Sequence, residues 1–124
     1  MKRFLIGLAL LVPLLANGQA AGPTDAITNW TPPTQYVDAT PLPTSEISQY
    51  KVYCGQVSGG PYSVCATVPG TLTTAQISSL TPGMWYFVVT TVATNGLESV
   101  FSNQASKNIL STSKPNPPVI ISVQ

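Results

Sequence analysis

The chain has 124 residues, 44% of them apolar and only 7% charged, with a formal net charge of +1 and no histidine. That leaves room for one domain. It offers no basic stripe for a phosphate backbone to follow and no acidic cluster for a hard cation, so nucleic acid, metals and cofactors are not expected partners.

Met1, Lys2 and Arg3 form a short positive start, and the thirteen residues from Phe4 to Ala16 are apolar but for interruptions at Gly7 and Pro13. As a helix that run spans about 20 Å, short of the roughly 30 Å of bilayer hydrocarbon. Gly18-Gln19-Ala20 puts small residues where a signal peptidase cuts. Residues 1–20 therefore read as a secretory signal cleaved near Ala20. The mature chain is expected to be secreted, periplasmic or on the cell surface, with no membrane anchor.

Beyond Ala20 no segment sustains a 3.6-residue apolar period, and Pro or Gly punctuates the chain every ten residues or so. Both facts favour short strands joined by turns, an all-β domain. Ala26 to Trp30 reads as a strand stopped by Pro32-Pro33, and Thr34 to Ser45, with Pro41 and Pro43, as an extended loop. Ile47 to Cys54 is a strand with Tyr50, Val52 and Cys54 on the core face and Lys51 and Tyr53 on the other. Gly55 to Pro61 turns the chain into a hairpin partner, Tyr62 to Val68, and Thr71 to Leu80 is the next strand. Met84 to Ala93, aromatic and β-branched almost throughout, is the strongest strand and reads as central. Asn95-Gly96 is a tight-turn signal leading to a last core strand, Ser99 to Ser106.

Cys54 and Cys65 are the only cysteines and stand eleven positions apart. Without His or clustered carboxylates they make a poor metal site. In an oxidising compartment they are expected to pair and staple the hairpin; the alternative is two free buried thiols.

In this setting the chain resembles a fibronectin type III domain, in the form common in bacterial and phage proteins. Trp30-Thr31-Pro32-Pro33 is similar to the end of that family's strand B, Tyr50 to Gly55 to its strand C, and Asn95 to Asn103 to its F–G turn and strand G. Leu80-Thr81-Pro82-Gly83-Met84-Trp85-Tyr86 resembles the E–F corner. The resemblance implies a two-sheet sandwich over residues 21–107 with Trp30, Tyr50, Val52, Leu80, Tyr86 and Val88 in its core. It also implies that Tyr86 places its ring inside and its hydroxyl on an upstream backbone group. Tyr86→Phe is then expected to cost about 1 kcal/mol.

Two departures stand out. Only about five residues, Ala21 to Asp25, separate the cleavage point from strand B, so the family's strand A is absent or vestigial. Residues 108–124 continue past strand G as a Pro-rich linker and an apolar β-branched segment, Val119-Ile120-Ile121-Ser122-Val123, that is similar to the start of a strand A. Either it fills the gap in its own chain, or it fills the gap in a neighbour, or it pairs with nothing.

No residue pattern supports catalysis: no activating base accompanies a Ser, and the four carboxylates are scattered. An alternating face on the strong strand would put Trp85, Phe87 and Val89 outward near Tyr53, as a contact surface. The reading is a secreted, non-catalytic interaction or structural module whose partner is protein, itself or another. Its version of most consequence is a self-assembling subunit that uses its C-terminal strand. A phage virion decoration protein and a carbohydrate-binding module, with Trp85 and Tyr53 stacking on sugar rings, are the alternatives.

Overall fold

The computed structural model describes residues 22–111 and 115–124, so the signal segment with its cleavage point and Lys114 of the tail lie outside the described residues. The strands follow in chain order as β1 (Ala26–Asn29), β2 (Ile47–Gly55), β3 (Ser63–Pro69), β4 (Thr74–Ile77), β5 (Gly83–Ala93) and β6 (Ala105–Ile109). β1 pairs with β4 in one sheet, and β3-β2-β5-β6 form the other, every ladder antiparallel. The expected two-sheet sandwich is what the chain forms. The described strands, the core and the disulfide all lie before Ser111, so a chain shortened beyond that point keeps them.

Register decides what faces inward. Tyr50, Val52 and Cys54 of β2 stand opposite Thr91, Val89 and Phe87 of β5. Val52, Cys54 and Phe87 are buried with Ala26, Ala75, Ile77, Leu80 and Ile109 in one cluster, and Leu42, Ile47 and Tyr50 form a second. Trp30, Val68 and Val89 pack against both clusters and join them. Each fully buried aliphatic or aromatic side chain contributes roughly 1.5–3 kcal/mol.

This register corrects the expected facing of β5. Phe87 is buried, and Trp85 and Val89 pack partly buried against the core, so these three turn inward and only Tyr53 of the expected contact face stands on the outer side. Tyr86 is opposite Gly55 on the outer face and only half-buried. Val88, opposite Tyr53, is buried but belongs to neither core cluster. The corner role expected of Tyr86 falls to its neighbour: the Trp85 indole Nε1–H donates to the Thr81 carbonyl at 2.7 Å. The physical reason is that β5 lacks polar contrast. Its residues are nearly all apolar or hydroxyl-bearing, so period two marks no face, and a one-residue shift inverts every side chain. The larger area of Trp85 and Phe87 is then buried in preference to Tyr86.

The last strand also differs. The expected strand at Ser99 to Ser106 is instead Ala105–Ile109, ending on the fully buried Ile109. The preceding stretch runs along β5 without a regular ladder. Ser99 N–H donates to Thr91 O while Ser99 Oγ accepts from Thr91 N–H, and Ser102 does the same with Val89. Two serine side chains thus replace backbone carbonyls, which is how Ser competes with regular sheet. The Asn95-Gly96 turn is present, with Gly96 at φ +88°, a conformation that favours glycine.

Candidate functional site

On the outer face of the larger sheet the aromatic side chains are already engaged. Phe101 stands edge-on to Tyr53 and Tyr62, with centroids 5.0 and 5.4 Å apart. Tyr53 and Thr90 each donate to Glu98 Oε2 at 2.6 Å, and Lys51 Nζ lies 3.7 Å from Oε1. Gln104 Oε1 accepts from the Tyr62 hydroxyl and from Gly59 N–H. The segment after Gly96 is thereby tied down over β2 and the β2–β3 turn. Glu98, one of the four scattered carboxylates of the sequence, holds this network together. With Trp85 turned inward, the sugar-stacking pair expected of Trp85 and Tyr53 does not exist.

Hydrogen bonds from Thr90 and then Tyr53, with the Lys51 cation alongside, hold the Glu98 carboxyl below its ordinary value. A depressed carboxylate contributes stability that is complete above its unfolded-state pKa and is lost as pH falls through the folded one. Thermal unfolding of Glu98→Gln should therefore be less acid-sensitive than that of the unmodified protein below the ordinary carboxylate range. Identical acid losses in both would contradict the network.

The opposite side of the sandwich carries the smaller sheet. β1 pairs with β4 on one side, and among the described residues nothing pairs with its other edge. Beside that edge lies a cleft of about 610 Å³, lined by β1, by Phe87 and Val89 of β5, and by Ser102, Ala105 and Lys107. Among the described residues no strand fills this place.

The start of β1 is firmly placed. Asp25 accepts from Gly22 N–H at 3.1 Å, Gln76 Nε2 at 3.0 Å and Ser79 N–H at 3.3 Å, and the Gly22 bond chiefly holds its carboxyl below the ordinary value. Lys107 Nζ donates to the Asp25 carbonyl at 2.6 Å. The β1 start and the β6 end therefore share one pole. Trp30 N–H, at the other end of β1, donates to Thr73 O.

At that second pole is a further cleft of about 250 Å³, lined by Pro33, Tyr36, Val37 and Leu42 on one side and by Thr91, Ala93 and Leu97 on the other. Alternate β5 residues connect the two clefts: Phe87 and Val89 line the first, Thr91 and Ala93 the second. They form one seam along the sandwich.

Val119, Ile120, Ile121 and Val123 are between 79% and 94% exposed, and the segment from Pro115 to Gln124 forms no strand or helix. With period two, Val119, Ile121 and Val123 share one face. The apolar tail segment was legible in the sequence, but the strand expected there is not formed. The inward Phe87 and Val89, the serine pair and Lys107 were not legible, because their roles come from register and not from any local pattern.

The Cys54–Cys65 disulfide is formed, with Cα atoms 5.9 Å apart, across the β2–β3 hairpin.

In sequence, the family model for the fibronectin type III domain matches residues 15–108. No curated protein matches. In structure, the chain is similar to the twitchin kinase region from C. elegans, with 21% identity and a TM-score of 0.58 over 76% of this chain and 15% of that one. It is also similar to the sixth fibronectin type III domain of human fibronectin type III domain containing protein 3, with 22% identity and a TM-score of 0.52 over 77% and 81% of the two chains. The chain thus spans a small part of the twitchin region and about four fifths of the isolated human domain. At these identities the likeness is one of fold.

Proposed function

Because the chain belongs to the fibronectin type III family, whose domains are typically non-catalytic interaction or structural modules, we propose that it is an exported structural subunit that assembles with copies of itself through its C-terminal strand. The observation that supports this reading is a single chain holding a β1 edge that is unpaired among the described residues, a strand-sized cleft beside it, and an exposed apolar β-branched segment at Val119 to Val123. Open sheet edges invite strand addition. Val119, Ile121 and Val123 entering the cleft beside Phe87 and Val89 each gain roughly 1.5–3 kcal/mol of burial. Five residues of strand reach about 17 Å, enough to cover the four residues of β1. Donation from one copy to the next is a head-to-tail contact, which builds filaments unless it closes into a ring.

The test is light scattering and thermal unfolding of the chain from Ala21, with and without Pro115–Gln124. The expected result is an assembly whose mass rises with concentration and which the deletion reduces to monomers. A destabilised monomer after deletion would mean pairing within one chain. A monomer before and after, with one unfolding midpoint, would overturn the proposal.

A further inference from the structure

We propose that the second cleft, between Tyr36 and Leu97, is the seat of the proline segment Pro115–Pro118 of a second copy, and that this seat fixes the direction of the incoming strand as antiparallel to β1. The inference rests on the strand-donation reading above and adds its polarity and its second binding site.

The seam has an order. Along it the β1 cleft comes first, and the second cleft continues it beyond Trp30. The tail has an order too: Pro115, Pro117 and Pro118 immediately precede Val119. If Val119 to Val123 runs antiparallel to β1, Val119 lies near Trp30 and Val123 near Ala26. The prolines then enter the second cleft. If the strand runs parallel, the prolines emerge beside Asp25 and Lys107, and the second cleft stays unused. The chemistry of that cleft fits the first arrangement. A Tyr ring, a Pro and exposed Val37 and Leu97 form an apolar trough, and Pro-rich segments dock in aromatic-lined grooves with little entropy to lose.

Reach identifies the occupant as another molecule. A chain's own tail leaves β6 at Ile109, opposite Gly83. From Ile109 to Pro115 it extends about 22 Å at most. Thr91, at the near edge of the second cleft, is eight residues along β5 from Gly83, about 26 Å. A chain therefore does not place its own Pro115 in its own second cleft. A copy stacked on that pole does so without strain.

The experiment uses the chain from Ala21 to Lys114, which retains the described strands, the core and the disulfide, and a synthetic peptide of residues 115–124. A nitroxide on the peptide N-terminus should broaden the amide resonances of Val37 and Leu97 and spare those of Asp25 and Lys107. Replacing Pro115, Pro117 and Pro118 of the peptide by Ser should weaken binding by about tenfold or more, as should Leu97→Ser in the protein. Broadening at Asp25 and Lys107 instead, or binding indifferent to both changes, overturns the polarity and the proline seat while leaving strand donation standing. A peptide that does not bind at all overturns both.

Discussion

Phe87→Ala is expected to lower the stability of the fold by about 3–5 kcal/mol, whereas Tyr86→Phe, one residue away, leaves it within about 0.5 kcal/mol. The contrast follows from register. Phe87 is 4% exposed and packs in the main cluster opposite Cys54, so truncation opens a cavity between the two sheets. Tyr86 faces the other way, half-buried, opposite Gly55 and Ser106. A domain of this size has about 5–15 kcal/mol in hand, so the Phe87 variant approaches unfolding under native conditions. Urea denaturation of the two variants checks this. A costly Tyr86→Phe beside a tolerated Phe87→Ala would mean that β5 presents its other face to the core.

Removing the disulfide by a Cys54→Ala and Cys65→Ala double replacement should cost about 3 kcal/mol in the chain-entropy model for a loop of this length. In a domain of this size that corresponds to a melting midpoint lower by about 12–24 °C. The bond ties adjacent strands across a turn of eleven residues' separation, and Cys54 is itself part of the core, so the loss of packing adds to the loss of constraint. Calorimetry of the double variant against the oxidised protein measures it. A shift of only a degree or two would show that the β2–β3 ladder holds the hairpin unaided.

The fold was largely legible in the sequence because its punctuation is strong. Pro32-Pro33, Gly59-Gly60 and Asn95-Gly96 end or turn strands by backbone chemistry, and the alternation in Ile47 to Cys54 assigns β2 its core face correctly. Where these signals weaken, so does the reading. β5 has too little polar contrast for its faces to be told apart, and resemblance to the E–F corner pointed to Tyr86 where the chain uses Trp85. The last strand was placed too early because Ser99 and Ser102 sit among strand-like neighbours while their side chains, and not a regular ladder, bond to β5. Of the candidate site, the apolar tail segment and the short run before β1 were visible in the sequence, although the tail forms no strand. The seam was not visible there, since it combines residues from β1, β5, β6 and two loops that only the packed sheets bring together.

Strand donation into the β1 cleft is tested most directly by mixing two variants. A chain ending at Lys114 keeps an open cleft but has no strand to give. A chain with Ala105→Trp keeps its tail, but the added ring, placed at an exposed position that lines the cleft, blocks strand entry. Each alone is expected to be monomeric by light scattering. Mixed in equal amounts they should form a one-to-one heterodimer and nothing larger, because only one donor and one acceptor remain. Two monomers that ignore each other, or an Ala105→Trp chain that still assembles by itself, would contradict strand donation into the β1 cleft.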